Sequence, residues 1–237
     1  MNWNLKRKFW KEVEVEHRTD GYRLLLDGRE LQTPAKTDLP IPTAALAEAM
    51  AAEWAAQDAQ IVPDTMPLTR AANSAVVKVA PQFDAVADML AEYGGTDLIC
   101  YRAHSPAELI ARQTAAWDPW LDWSATELKA PLLAVMGVIH HQQPQSSLAN
   151  LRNAVASYSP FELAGLHDLV TLSGSLVLAL AVARQAIEVD AAWELSRIDE
   201  NWQIEQWGED DLATEAAERK RSDFKQAARL LVLLREA

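Results

Sequence analysis

The chain changes its hydrophobic periodicity near residue 42, and this change constrains the fold more than any other feature. Before it, Glu12–Glu16 alternates charged and apolar residues with the period of two that is typical of a half-buried strand. Tyr22–Leu26 is a second strand candidate, and the Asp27-Gly28 pair after it favours the positive φ angles of a tight hairpin turn. With a short third strand after that turn, the sequence predicts a small antiparallel β domain over residues 1–42.

From residue 43 onward the sequence has the start and stop signals of helices. Thr43 can cap a first helix, and Asp190 can begin a later one that Gly208 would end. Two segments combine a capping serine, a proline in the first turn and a glutamate three residues after the cap: Ser105-Pro106-Ala107-Glu108 and Ser159-Pro160-Phe161-Glu162. We therefore predict the α+β fold class, with the β domain followed by an α-helical domain over residues 43–237.

The charge balance excludes several classes of partner. Lys and Arg number 22 against 34 Asp and Glu, which gives a net charge of −12 that repels phosphate backbones and anionic lipids. A single cysteine excludes an internal disulfide and fits a reducing compartment. The uncharged stretch Leu169–Ala183 is shorter than the roughly 20 residues needed to span a bilayer, so it predicts a buried helix. We expect a soluble, intracellular protein with no nucleic-acid partner and no membrane insertion.

The sequence contains no recognisable catalytic motif. A P-loop, a G-x-G-x-x-G dinucleotide motif and a G-x-S-x-G nucleophile elbow are all absent. Cys100 lies among apolar residues, as inert buried thiols do. The His140-His141 pair leaves one enzymatic alternative open, a metal-dependent hydrolase that uses these histidines with nearby carboxylates, although adjacent helical residues point about 100° apart. We expect no metal, no cofactor and no catalytic residue.

Two aromatic segments could bind a partner. In the first, Arg112 precedes Trp117-Asp118-Pro119, which predicts a hinge between two packed helices, with Arg112 reaching a carboxylate. The alternative is a partner-binding corner with the tryptophan as its anchor. The nine tryptophans of the chain cannot decide this by number, because Trp suits cores and binding surfaces equally.

The second segment is the predicted helix from Asp190 to Trp207. At 100° per residue it has two apolar faces, and Glu200 falls among the residues of one of them, which are Trp193, Ile204 and Trp207, with Gln203 at the edge. A carboxylate in such surroundings needs a partner, because a desolvated charge is costly. That partner is either Arg197 in an internal salt bridge or a second protein.

An ordered set of short motifs resembles a known family. The motifs are, in chain order, Phe9-Trp10-Lys11, Leu26-Asp27-Gly28-Arg29-x-Leu31-x-Thr33-Pro34, Glu53-Trp54-x-x-Gln57, Met66-Pro67-Leu68-Thr69, Asp97-Leu98-Ile99-Cys100-Tyr101-Arg102-Ala103, Arg112-Gln113 with Trp117-Asp118-Pro119, and Glu200-x-x-Gln203-x-x-x-Trp207-Gly208. Together they resemble the assembly chaperones that attend the alpha subunit of the F-type ATP synthase catalytic head.

The resemblance implies a non-enzymatic chaperone, and we expect it to be a monomer. Such a protein holds the free alpha subunit soluble until a beta subunit replaces it. In mitochondrial members a carboxylate of the last motif is important for function, and here that residue would be Glu200 or a neighbouring carboxylate. Mitochondrial members reach the matrix by a presequence, whereas this chain resembles a bacterial, cytoplasmic member. The expected partner-binding residues are Glu200, Gln203, Trp207, Trp193, Ile204, Arg112, Trp117 and Asp118.

Overall fold

A computed structural model of the chain describes residues 7–236. By their contacts, these residues separate into two units. Unit 1 contains the chain up to Phe83 together with Pro160–Gly165 and the segment from Arg229 onward, and unit 2 contains Asp84–Ser159 and Leu166–Ala228. The sequence-based boundary between residues 42 and 43 stays a prediction.

The β structure of unit 1 is a three-stranded antiparallel sheet in the order β1-β2-β3. Its strands are β1 (Val13–Arg18), β2 (Gly21–Leu26) and β3 (Arg29–Glu30). The predicted turn is confirmed, because Asp27 has a φ of 48° and Gly28 a φ of 73°, and the Asp27 carboxylate accepts two backbone N–H bonds from Lys11 and Glu12, each of 2.9 Å. The sheet followed by a mostly helical chain confirms the α+β fold class.

Unit 1 continues with helices α1 (Ala44–Ala55) and α2 (Pro67–Ser74). Thr43 caps α1 as predicted, accepting a bond from the Leu46 N–H. The Glu53 carboxylate accepts hydrogen bonds from the backbone N–H groups of Leu68 and Thr69 at 2.7 and 2.8 Å. These N–H groups lie in the first turn of α2 and have no acceptor within the helix. Glu53, the first residue of the Glu53-Trp54-x-x-Gln57 motif, therefore joins α1 to α2.

The chain stays helical after α2 and enters unit 2 within α3. A π-helical turn at Ala75–Val79 and a 3-10 turn at Ala80–Gln82 lead into α3 (Phe83–Glu92). The short strands β4 (Tyr101–Arg102) and β5 (Val135–Met136) pair in parallel. The remaining helices are α4 (Ala107–Glu127), α5 (Gln145–Ala156), α6 (Pro160–Ser173), α7 (Leu176–Ala183), α8 (Val189–Ser196), α9 (Ile198–Trp207) and α10 (Asp211–Leu233).

The uncharged stretch Leu169–Ala183 is not the single buried helix that the sequence predicts. It holds the end of α6 and all of α7, separated by Gly174, whose φ is 72°. Ser175 caps α7 by accepting the Leu178 N–H, and every residue of α7 is buried. No helix in the described range 7–236 has the length and apolar character needed to cross a membrane.

Two further helix predictions were wrong in their boundaries. Helix α4 continues through Pro119 instead of ending before it, so no hinge separates two helices there. The helix predicted from Asp190 to Trp207 is two helices that meet at Arg197, whose backbone is not helical, and Gly208 ends the second one as expected, with a φ of 90°. Thr43 and Pro160 marked helix starts correctly, but α4 begins after Pro106 with no side-chain cap from Ser105, and Asp190 lies inside α8, which begins at Val189.

Candidate functional site

Helix α4 is fixed within unit 2 through Trp117 and Asp118. Trp117 is completely buried, and its indole N–H donates to the Leu195 carbonyl at 2.9 Å. The Arg102 guanidinium lies 5.1 Å from the centre of the Trp117 ring and donates to Asp118 Oδ1 at 2.6 Å. Both residues therefore hold the fold together, and the Trp117 indole is not exposed as a partner anchor would be.

Gln113 and Arg112 connect α4 to α9. The buried Gln113 amide accepts the Ala103 N–H at 2.7 Å and donates to Asp199 Oδ1 at 2.6 Å. Arg112 forms a two-pronged ion pair with Glu205, with bonds of 2.7 and 2.9 Å. The carboxylate that the sequence predicts for Arg112 is thus Glu205.

Arg112 also lies over an aromatic ring of α9. Its guanidinium carbon is 5.0 Å from the centre of the Trp202 ring. Its hydrogen bonds hold the pKa of the Glu205 carboxyl below its ordinary value, so Glu205 keeps its charge at neutral pH. The charges of Arg112 and Glu205 largely cancel, and the contact with Arg112 orients the half-buried Trp202.

Trp193 does not share a helix face with Ile204 and Trp207, although the sequence predicts that it does. The break at Arg197 separates α8 from α9, so the angular spacing that grouped Trp193 with Ile204 and Trp207 does not apply across it. Trp193 is 4% exposed and packs against Phe224 at a ring distance of 5.6 Å. Its indole belongs to the core of unit 2.

The other residues predicted on this face lie on α9 at or near the surface. Trp207 is 80% exposed, Gln203 is exposed and Ile204 is half-buried. Glu200 is also exposed, and its Oε1 lies 3.5 Å from Arg197 Nη1, at the outer limit of a hydrogen bond. Glu200 is therefore neither desolvated nor strongly paired, and it is accessible to a second protein.

A cleft of about 620 Å³ lies beside α9 within unit 2. It brings together Gln203 and Trp207 from the predicted set with residues of α4 and of the loop after β5. Its lining residues are Tyr101, Arg102, Ala103, His104, Ser105, Pro106, Leu109, Gln113, Gly137, Val138, Asp199, Trp202, Gln203, Gln206 and Trp207. A volume of this size suits a few side chains of a partner or a small ligand.

Sequence reasoning missed several residues of this cleft. Asp199 and Trp202 belong to the segment that it examined, but they were not assigned to the face with Trp207. Val138 stands two residues before the His140-His141 pair and belongs to no periodic segment, so helical spacing did not predict it. Two apolar residues between Gly137 and His140 in a loop were the available signal.

The structure does not favour the metal-dependent alternative. His140 and His141 are exposed in the loop after β5. Among residues 7–236, no three His, Cys, Asp or Glu side chains are grouped so that they could hold a metal ion. Cys100 is buried, and this burial raises the pKa of its thiol, which disfavours the reactive thiolate.

Comparison with known proteins identifies the class to which this fold and site belong. The sequence profile described as ATP12 chaperone protein matches residues 7–125. The crystal structure of Atp12 from Paracoccus denitrificans has 51% sequence identity and a TM-score of 0.94, covering 97% of this chain and 98% of that one. The chain therefore belongs to the ATP12 chaperone family, which confirms the family resemblance of its motifs.

Two other relatives extend this comparison. The structure of the Atu1473 protein from Agrobacterium tumefaciens has 39% identity and a TM-score of 0.93, covering 98% of this chain and 87% of that one. The mitochondrial protein atp12 of Schizosaccharomyces pombe is 23% identical over 215 residues, which are 85% of this chain and 74% of the yeast protein. The similarity thus extends over most of the chain and to both bacterial and mitochondrial proteins.

Proposed function

We propose that this protein is a non-enzymatic chaperone for assembly of the F-type ATP synthase. It binds the unassembled alpha subunit and keeps it soluble until the beta subunit takes its place. Membership of the ATP12 chaperone family is the observation that carries this proposal. The similarity to two bacterial proteins favours a bacterial cytoplasm as the location, and the proposal takes the chaperone as a monomer.

The accessible face of α9 supports a role in protein binding. A subunit of an obligate ring exposes a large apolar interface while it is alone, and such a surface aggregates. Trp207 offers a large apolar anchor, and Gln203 and Glu200 add polar groups beside it. A mixed surface of this kind binds tightly enough to cover the client and still allows the beta subunit to displace the chaperone.

The buried members of the predicted set have an indirect part in this proposal. Trp117, Asp118 and Trp193 stabilise unit 2, and Arg112 orients α9 through Glu205 and Trp202. We assign direct contact with the client to Glu200, Gln203, Ile204 and Trp207.

Co-expression with the alpha subunit from the same organism tests the proposal. We expect the alpha subunit to become soluble, to elute with this protein in size exclusion, and to leave it when beta subunit is added. Glu200→Ala and Glu200→Lys should lower the recovered complex, whereas Phe9→Ala, which removes an exposed ring outside the cleft, should not. An alpha subunit that is equally insoluble with and without this protein would overturn the function. Normal binding by both Glu200 variants would overturn the assignment of Glu200 alone.

A further inference from the structure

The loop that follows β5 is held firmly at its base. The buried Gln143 side chain accepts the Leu133 N–H at 2.8 Å and donates back to the Leu133 carbonyl at 3.0 Å. On the other arm, β5 pairs with β4, and the Gly137 N–H donates to the Arg102 carbonyl at 2.7 Å. These bonds hold the two arms of the loop to each other and to β4.

The tip of this loop exposes two branched apolar side chains. Val138 is 94% exposed and Ile139 is 81% exposed. Single exposed apolar residues are ordinary, but Val138 lines the same cleft as Trp207, whose indole is also largely exposed. We call Val138, Ile139 and Trp207 the apolar rim.

Gly137 sets the position of the tip. Its φ is 83°, a backbone angle that residues with a Cβ rarely adopt, and a methyl group at this position would overlap the His104 ring. The loop backbone therefore lies directly against the His104 side chain at the wall of the cleft. This close approach brings the tip to the mouth of the cleft.

The surroundings of Trp207 are strongly acidic. Residues 199–218 contain eight carboxylates and no lysine or arginine. Four of these carboxylates have an arginine partner: Glu200 with Arg197, Glu205 with Arg112, Glu215 with Arg219 and Glu218 with Arg221. Among the described residues the other four, Asp199, Glu209, Asp210 and Asp211, form no ion pair, so the segment keeps a net negative charge. Asp199 lines the cleft, and a partner there would meet this negative charge beside apolar side chains.

We propose that the apolar rim binds a segment of the client in which apolar side chains alternate with lysine or arginine. This inference rests on the proposed function, because it takes the occupant to be part of the alpha subunit. Val138 and Trp207, which both line the cleft, contact the apolar side chains of this segment, and the exposed Ile139 next to Val138 extends the contact. The carboxylates of residues 199–218 attract the basic side chains and orient the segment.

The first arm of the test uses the whole chain and the alpha subunit. The double variant Val138→Ser with Ile139→Ser should lower recovery of the soluble complex about tenfold, as loss of a hot spot does. Its melting temperature should stay that of the wild type, because both side chains are already in water. The control Phe9→Ser removes an exposed ring outside the cleft and should bind normally. Capture by the double variant that equals wild-type capture would overturn the rim while leaving the proposed function intact.

The second arm replaces the client by two short dye-labelled peptides and follows their anisotropy. One alternates leucine with lysine, and the other carries glutamate at each lysine position. We expect the basic peptide to bind at least tenfold more tightly, to lose this advantage when salt rises from about 50 to about 300 mM, and to bind the double variant poorly. If the wild type binds this peptide but does not capture the alpha subunit, the rim stands and the client assignment fails. Equal binding of both peptides would overturn the basic character of the partner.

Discussion

Tryptophan has two opposite uses in this protein. Trp117 and Trp193 are buried, and the first satisfies its indole N–H with a backbone carbonyl. Trp207, by contrast, lies at the end of α9 with most of its surface in water. A side chain with a large apolar body and one donor suits either environment, so its neighbours decide which role it has.

Alanine substitutions should separate these two roles. Trp193→Ala should lower the free energy of unfolding by about 3 to 5 kcal/mol, because it leaves a cavity beside Phe224. Trp207→Ala should leave the melting temperature nearly unchanged and lower recovery of the complex with the alpha subunit. Thermal unfolding and co-purification measure the two effects, and a large loss of stability in Trp207→Ala would contradict the assignment of that indole to the surface.

Asp97 is a buried carboxylate that holds two segments of unit 2 together. Its Oδ1 accepts the Ile99 N–H at 3.2 Å and its Oδ2 accepts the Val177 N–H at 2.9 Å, at the start of α7. Burial raises the pKa of this carboxyl from 3.8 to about 6, since removing the charge from water costs more than these bonds return. Folding therefore favours its protonated form.

The pH dependence of stability should reveal this carboxyl. A raised folded pKa contributes stability that is present below about 3.8 and is lost as the pH rises through about 6. The free energy of unfolding of the wild type, relative to Asp97→Asn, should thus increase by about 2 kcal/mol when the pH falls from 7 to 4. Denaturant unfolding at several pH values measures this difference.

Asp190 provides the control with the opposite sign. Hydrogen bonds from Lys225 and Arg221 hold the pKa of the Asp190 carboxyl below its ordinary value. The wild type should therefore lose stability relative to Asp190→Asn as the pH falls through that lowered pKa. For Asp97, plots of the free energy of unfolding against pH that stay parallel for wild type and Asp97→Asn would show that its pKa is not raised.

At the scale of elements, the position of α9 depends on side chains of α4. Gln113 reaches Asp199, and Arg112 reaches both Glu205 and Trp202. Three contacts over two turns of α9 orient the face that carries Gln203 and Trp207. The sequence predicts both helices, but this pairing joins residues that are 86 and 93 positions apart.

Exchanging the two charges should show whether this pair positions α9. Arg112→Glu and Glu205→Arg should each lower capture of the alpha subunit several-fold, because each puts two like charges in contact. The double exchange restores opposite charges and should recover part of the binding, as positioning residues do. Size exclusion of the co-expressed complexes measures all three, and a double variant as weak as the single ones would indicate direct contact with the client.

At the scale of the whole molecule, unit 1 is assembled from distant parts of the chain. The last turn of α10 lies in unit 1, where Leu230 and Leu231 are buried and the Leu233 carbonyl accepts a bond from the Thr43 hydroxyl at 2.8 Å. The cap of α1 thus contacts a residue 190 positions later. The β sheet alone would be too small to be stable, and the buried Leu230 and Leu231 add to the apolar core of the unit that contains it.

Truncation after Ala228 should therefore destabilise the N-terminal end of the protein. Removing Leu230 and Leu231 exposes apolar surface of unit 1, and we expect faster amide exchange in α1 and β2 than in the full chain. A truncation after Arg235 removes only the last two residues and should leave exchange unchanged. Equal protection of α1 in both truncated proteins would show that the C-terminal segment contributes little to unit 1.

The local features of this protein followed from its sequence. The Asp27-Gly28 turn, the Thr43 cap and the Gly208 stop depend on backbone preferences of a few neighbouring residues, and the structure has all three. The charge of −12 is likewise a property of composition. Even the family could be inferred from short motifs in order, because each of them is local.

Only the tertiary structure decided which of the predicted residues lie at the surface. Helical spacing identified Glu200, Gln203 and Trp207 but also included Trp193, since angles along one helix cannot reveal a break at Arg197. The loop with Val138 reaches the cleft because of hydrogen bonds to β4 and Gln143, which no periodicity predicts. Packing between distant segments chooses which apolar side chains are buried, and that choice depends on contacts that the sequence does not display.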